Sequence, residues 1–328
     1  MEKSINWALV GTGWITDSFL EGLREAGGNA TAVVSRSAEK AQGYARDKGI
    51  AKAFGSYARM LEDPEIEAVY IGTPHTSHME QTVRALKAGK AVLCEKPFAL
   101  NALEAGEMVR TARENGVFLM EAMWTRFLPA VCRVRQWLSQ GLIGEARMVQ
   151  ANFGFRADVT PQHRLLNPAL GGGALLDVGV YTLSFASMVF SGRKPEAVTS
   201  RLVMGETGVD EEAVAVVSYG GSRLAVACAA VRTTLTNDAW IYGSKGKIHV
   251  PDFFKADRAE LFPDGGEKIC FETENHSGGY SYEAGEVMDC IRSGKTESPV
   301  MPLDESLVVM ETMDRIREQW GFRYPSEV

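Results

Sequence analysis

Trp7-Ala8-Leu9-Val10-Gly11-Thr12-Gly13-Trp14-Ile15-Thr16 sets a short apolar run directly before a glycine turn and the opening of a helical pattern. That order matters, because a strand feeding through glycines into a helix N-terminus is the phosphate-binding turn of a dinucleotide site. Gly11 permits the tight turn and Gly13 lets backbone approach a pyrophosphate. The unpaired N–H groups that follow Thr12, at Trp14 and Ile15, would then face its charge. Thr16 occupies the third small position, where Gly or Ala packs helix against strand most closely. Two glycines alone fit any strand-to-helix turn; their place after the first strand of a βαβ unit makes them informative.

The rhythm around the turn supports that placement. Apolar or β-branched runs at Trp7–Val10, Thr31–Val34, Ala68–Gly72, Ala91–Cys94 and Val117–Met120 alternate with helical patterns at Ile15–Ala26, Glu39–Lys48, Ser77–Ala88 and Ala102–Glu114. Such runs suit strands buried on both faces of a parallel sheet. After Glu121 the pattern changes to helices near Ala130–Gln140 and Ala174–Phe190, a strand near Ala146–Phe155, and then successive strands from Val198 to Val250. Turn signals at Gly220-Gly221, Ser244-Lys245-Gly246 and Asp264-Gly265-Gly266 separate hairpin arms. Two closing helices are expected near Tyr282–Ser293 and Leu303–Gln319. The expected fold is α/β: an N-terminal Rossmann, doubly wound parallel sheet over residues 1–122, and a C-terminal α+β domain over 123–328 with a large open, mostly antiparallel sheet. Along Ala213–Ser218 both strand faces are apolar or small, so something beyond the helices, such as a second subunit, is expected to cover one of them.

Composition narrows the function classes. A chain of 328 residues exceeds one ordinary core, and 35 basic against 42 acidic residues gives no general attraction to nucleic acid or anionic membrane. Phosphate recognition must therefore be local. Cys94, Cys132, Cys228, Cys270 and Cys290 are scattered, with no C-x-x-C pair, so reduced thiols and no metal site are expected. The opening residues lack the basic start and long apolar core of a signal peptide, and no run of about 20 apolar residues suggests a membrane span. A cytoplasmic location is the expectation.

At the tip of the second strand stands Ser35-Arg36-Ser37. A carboxylate there would hold the ribose hydroxyls of NAD and repel a 2′-phosphate, whereas an arginine flanked by hydroxyls pairs with that phosphate. NADP(H) is therefore favoured over NAD(H), although an exposed arginine is also the commonest fate of that residue. The strand Ala91–Cys94 delivers Glu95-Lys96-Pro97 to the sheet edge where ligands bind in open α/β folds. From position alone, Lys96 serves equally as a nicotinamide-side cation or as a solvated surface lysine. Further along, Gly171-Gly172-Gly173 precedes a helix on which Asp177 and Tyr181 stand four residues apart, on one face. A free phenol has a pKa near 10, and a neighbouring cation lowers it toward acid/base use. Helix pattern alone would instead make Tyr181 packing and Asp177 a first-turn charge.

Gly11-Thr12-Gly13, Thr73-Pro74 with His78, Ala91-Val92-Leu93-Cys94-Glu95-Lys96-Pro97 and the glycine run through Asp177 together resemble the Gfo/Idh/MocA oxidoreductase family over nearly the whole chain. Met120-Glu121-Ala122-Met123-Trp124-Thr125-Arg126-Phe127 and the tyrosine at 181 resemble its dimeric dihydrodiol dehydrogenase and NADP-dependent xylose dehydrogenase branch, where many other relatives carry histidine. The resemblance implies Lys96 and Tyr181 as a catalytic pair, with Asp177 orienting substrate. Trp124, Arg126 and Phe153 are expected at the substrate, and Thr73, Pro74, His75, His78 and Glu95 beside the cofactor. It also implies homodimers through the C-terminal sheet and a Lys96-Pro97 bond that is often cis.

These readings converge on hydride exchange between NADP(H) and a small sugar, polyol, vicinal diol or related carbonyl compound. Two rivals keep the same fold: a cofactor-retaining glycoside hydrolase working by transient oxidation, and a non-catalytic NADPH-binding sensor, which would have no need of both Lys96 and Tyr181.

Overall fold

In the computed structural model, which describes residues 4–274 and 276–327, strand and helix alternate from the start. β1 (Asn6–Val10) leads into α1 (Trp14–Glu25), β2 (Asn29–Val34), α2 (Ala38–Lys48), β3 (Lys52–Phe54), α3 (Tyr57–Leu61), β4 (Ala68–Ile71), α4 (His78–Lys87), β5 (Ala91–Glu95), α5 (Ala102–Asn115) and β6 (Leu119–Ala122). α6 (Pro129–Ser139), β7 (Ala146–Gly154) and α7 (Val180–Val189) follow, and then β8 (Ala197–Met204), β9 (Asp210–Ser218), β10 (Leu224–Ala230), β11 (Ala239–Gly243), β12 (Gly246–Val250), β13 (Arg258–Pro263) and β14 (Ile269–Glu272). α8 (Tyr280–Arg292) and α9 (Leu303–Trp320) close the chain.

β1 to β6 form one parallel sheet in the order β3-β2-β1-β4-β5-β6. Every residue of β4, β5 and β6 is buried, which explains why these strands read as unbroken apolar runs. The chain winds outward from β1 to β3 and then returns to β4 on the other side of β1. That reversal creates a topological switch point, where ligands of open α/β sheets bind. β3 and α3 do not stand out in the sequence: β3 has three residues, all half-buried at the sheet edge, too short to show a period.

The first compact unit comprises the described residues up to Ala99, Leu103–Trp124 and also His276–Leu303. A single boundary at residue 122 therefore does not describe it. α8 packs on α1, where a Cβ on Gly22 would come within 2.7 Å of the Tyr280 and Ser281 backbone, so glycine permits the close crossing. The Leu119 amide donates to the Thr296 carbonyl at 3.1 Å and ties the same late segment to β6.

The second unit holds Leu100–Ala102, Thr125–Asn275 and the chain from Asp304 onward. Its eight strands run in the order β14-β13-β12-β11-β7-β10-β9-β8, and only β7 and β10 are parallel neighbours. One face, carrying Ala213, Ala215, Val217, Ala225, Ala227, Val149, Ile241 and Ile248, is buried, with α7 and its preceding turn over β7, β9 and β10 and with α6 over β12 to β14. Val203, Val214, Val216 and Leu224 project from the opposite face, each more than two-fifths exposed. The weak alternation in β9 thus separates the buried Ala213, Ala215 and Val217 from the exposed Val214 and Val216. The segment Pro168–Val189 is long and apolar enough to cross a membrane, but its stretch Gly171–Val189 is buried inside this unit.

Candidate functional site: a dinucleotide edge and an aromatic acid/base face

The C-terminal ends of β1, β4 and β5 bring Gly11–Gly13, Thr73-Pro74 and Lys96 to one edge of the first sheet. Gly11 has φ +106°, and a Cβ there would lie 2.8 Å from the Gly72 carbonyl oxygen, so this glycine is required by the fold. Gly13 differs. It caps α1 with φ −90° and ψ 173°, and a Cβ on it would meet nothing within 4 Å. No side chain caps the helix. The turn therefore leaves an open cradle at a helix N-terminus, which fits a pyrophosphate. Thr16, in the third small position, is fully buried against the Gly11 turn. Trp14 is 63% exposed beside the cradle.

Ser35 and Ser37 flank the exposed Arg36 at the end of β2. Ser37 caps α2 by accepting the Lys40 amide at 3.3 Å and donates to Glu39. Its hydroxyl is thereby held at the strand tip, while the Arg36 guanidinium extends into solvent.

On β5, Glu95 is buried and accepts the Tyr70 hydroxyl at 2.6 Å through one oxygen and the Lys96 amide at 3.2 Å through the other. Lys96 itself is half-buried, and its bond to Pro97 is cis. His78 has a different place from the one expected. It is fully buried, with Nδ1 2.9 Å from the Pro97 carbonyl and Nε2 3.0 Å from the Thr73 carbonyl. Burial holds its pKa below the usual histidine value. A neutral ring donates to one of these two carbonyls at a time, and buried between the Thr73 and Pro97 turns His78 shapes the cofactor edge without facing it. His75 is also buried, its ring edge-on to His78 at 5.7 Å. Trp124 stacks on Tyr280, centroids 5.0 Å apart.

In the second unit, Tyr181 lies on α7 against the inner sheet face. Its ring meets Phe153 of β7 edge-on at 5.2 Å, and Phe153 stacks on Phe254 at 4.1 Å. Phe254 lies in a 3₁₀ turn, Phe253–Lys255, within a loop whose place near the substrate is expected but whose conformation carries no periodic signal in the sequence. The turn before α7 is a π-helix, Leu175–Gly179, a form that recurs at functional sites. It carries Asp177, which is 4% exposed and accepts the Arg164 guanidinium at 2.8 Å. Arg164 belongs to the Arg156–Leu170 loop, also expected to shape the pocket, but nothing local in the sequence links it to a residue thirteen positions later.

The π-helix is anchored from beneath. Asp210 Oδ2 accepts the Leu175 amide at 2.6 Å, and Gly173, at φ +120°, approaches Asp210 so closely that a Cβ would sit 2.3 Å from its other oxygen. Burial raises the Asp210 pKa to about 7 against the opposing backbone bonds.

Arg126 requires a correction. Expected at the substrate, it is 2% exposed, and its guanidinium donates to the Ser184 hydroxyl and carbonyl and to Glu305 at 2.7 Å. A buried guanidinium with such partners serves as an internal tie.

Family models match both halves of the chain: an oxidoreductase family with an NAD-binding Rossmann fold over residues 5–123, and the GFO/IDH/MocA C-terminal domain over 131–249. The chain is a member of the Gfo/Idh/MocA family. Trans-1,2-dihydrobenzene-1,2-diol dehydrogenase of Xenopus laevis is 38% identical, covering 97% of this chain and 99% of that protein. The Homo sapiens protein of the same name is 37% identical over 99% of each. Among solved structures, levoglucosan dehydrogenase in complex with NADH and levoglucosan superposes with TM-score 0.88 at 20% identity, covering 98% of this chain and all of that one. As a Gfo/Idh/MocA protein, the chain is a hydride-transferring oxidoreductase that uses a nicotinamide cofactor and a small-molecule substrate with a CH–OH group. Its cofactor-edge glycines and Lys96 fall within the matched Rossmann segment.

Proposed function

We propose that this oxidoreductase is an NADP-dependent dehydrogenase of vicinal diols, sugars or polyols, with Lys96 and Tyr181 as its catalytic residues. The observation that carries the reading is the sheet edge at the switch point, where the open Gly13 cradle at the end of β1 and Lys96 at the end of β5 stand on either side of β4. Gly11, Thr12, Gly13, Trp14 and Ile15 would hold the pyrophosphate. Ser35, Arg36 and Ser37 would hold the 2′-phosphate, whose charge the guanidinium matches. Thr73, Pro74, His75 and the Glu95-Lys96 turn would border the nicotinamide end.

The bound nicotinamide supplies the hydride acceptor or donor. In the oxidative direction Tyr181 Oη takes the hydroxyl proton, and the Lys96 ammonium favours the phenolate that must exist to accept it. Phe153 and Phe254 offer flat apolar walls beside Tyr181, while Asp177, held by Arg164, would accept a hydrogen bond from a second hydroxyl. A substrate with adjacent hydroxyls suits a phenol and a carboxylate carried on successive turns. The diol named in the relatives has that pattern.

We further assign the exposed Val203, Val214, Val216 and Leu224 face to contact with a second copy of the chain. The thiols of Cys94 and Cys290, free and buried, fit a cytoplasmic protein.

The deciding experiment is an absorbance assay with NADP and NAD against dihydrodiols, aldoses, inositols and dicarbonyls, run on wild type and Tyr181→Phe. Net NADP reduction that falls at least about a thousandfold in the variant, with NADPH binding retained, is expected. Retained turnover in Tyr181→Phe removes the acid/base assignment. Hydrolysis without net NADPH would point to transient oxidation instead.

A further inference from the structure

Behind the Lys96 turn the first unit buries more carboxyl groups than the turn requires. Glu95 already does the visible work: it receives the Tyr70 hydroxyl at 2.6 Å and the Lys96 amide at 3.2 Å. Phe19 of α1 backs Tyr70, ring centroids 3.8 Å apart and 6° from parallel. As an anion, Glu95 has donors. A second acid, Glu283 of α8, is fully buried beside this group, and neither of its carboxyl oxygens has a hydrogen-bond partner. The charge of Glu95 acts on Glu283, and both carboxyls act on the phenols of Tyr70 and Tyr280. Burial, and then the charge of Glu95, hold the Glu283 pKa well above the usual carboxyl range.

An unpartnered buried carboxyl is a costly core residue, and a leucine or glutamine would fill the same space more cheaply. Its position gives it a use. α8 is drawn against α1 at Gly22, and on α8 Tyr280, three residues before Glu283, stacks on Trp124. Glu283 thus stands one helical turn beyond the residue that stacks on Trp124, within reach of the Glu95 charge behind the Lys96 turn. Two anions in this space would repel, and Glu95 is the one whose movement would release the Lys96 amide.

We propose that Glu283 is a positioning residue: it keeps one proton within the buried Glu95–Glu283 pair, so that Glu95 alone carries charge and holds the Lys96 turn in place. The ionisable groups around the pair are Tyr70 from β4, Cys94 beside Glu95 on β5, Glu121 from β6 and Tyr280 from α8, with Phe19 and Gly22 on the α1 side. The side-chain charge that acts on Glu283 is that of an anion, Glu95. When Glu283 loses its proton at alkaline pH, Glu95 is pushed from the Tyr70 hydroxyl and the Lys96 amide, and Lys96 loses that anchor. The catalytic consequence rests on the role of Lys96 proposed above.

The test compares full-length wild type with Glu283→Gln, which keeps the shape and remains neutral at every pH, and with Glu283→Met as a second non-ionising variant should the amide fold poorly. Chemical denaturation of the cofactor-free proteins comes first. The folded wild type holds a proton that the unfolded chain releases, so raising the pH favours unfolding. Between the ordinary glutamate range and the raised value, its folding constant should fall relative to either variant by up to about tenfold per pH unit. Parallel slopes would overturn the proposal. Next, kcat and the KM for NADPH are followed across the same range. The alkaline decline in kcat should move upward by about one pH unit or more in the variants, with KM changed less than about twofold. Different denaturation slopes with superimposable kcat profiles would also overturn it, leaving Glu283 a burial defect alone. If no form turns over any diol or sugar, the assignment of Lys96 fails, while the denaturation slopes still report whether Glu283 holds the proton.

Discussion

Gly13 and Gly11 stand two residues apart, and the structure separates their roles sharply enough for one experiment. Gly13 has φ −90° and ψ 173°, extended backbone that alanine adopts, and its Cβ would enter open space. Gly13→Ala should therefore leave stability unchanged or raise it by about 0.4–1 kcal/mol through the unfolded state. The added methyl would fill the space a pyrophosphate needs. Losing one N–H bond to that anion costs about 1.5–3 kcal/mol, a weakening of NADPH binding of about 10- to 150-fold. Gly11→Ala reverses the pattern. At φ +106° the strain is about 1–3 kcal/mol, and the Gly72 carbonyl 2.8 Å away belongs to backbone that cannot rotate aside. Thermal melts and NADPH titration on the two variants give four readings. Gly13→Ala that binds NADPH as tightly as wild type would refute the placement of the pyrophosphate at the α1 N-terminus. Gly11→Ala as stable as wild type would refute the close-approach argument.

Arg36→Ala should weaken NADPH by about 1.5–3 kcal/mol and leave NADH within about twofold, read as separate KM values; equal losses for both coenzymes would remove the 2′-phosphate assignment. Glu305→Ala leaves the Arg126 guanidinium buried beside Ser184 without its carboxylate, and should cost about 3–5 kcal/mol in denaturant unfolding. Asp210 has a folded pKa raised to about 7 by burial, so the folded state keeps a proton that the unfolded chain gives up. Stability should fall as pH rises from the usual aspartate range to about 7, with a slope of up to about 1.4 kcal/mol per pH unit, and Asp210→Asn should flatten it.

Local pattern alone determined the glycine turn after β1, the five longer parallel strands, the delivery of Lys96 to a sheet edge, and the helix bearing Asp177 and Tyr181. Each is written in consecutive residues: an apolar run too short for a helix, a glycine where the chain must turn, a period that changes from one element to the next. The unequal faces of β9 were legible only as weak alternation, because alanine and valine both read as apolar until burial distinguishes them. Tertiary structure decided the rest. Arg126 and His78 were expected to face ligands, yet the guanidinium is held by Glu305 and Ser184 and the ring is buried between the carbonyls of Thr73 and Pro97. Arg164, Phe254 and Glu283 acquire their meaning from Asp177, Phe153 and Glu95, residues from 13 to 188 positions distant. A polar or aromatic side chain has no fixed role until the fold chooses its neighbours, and no periodicity along the chain records which distant group will neutralise, stack on or bury it.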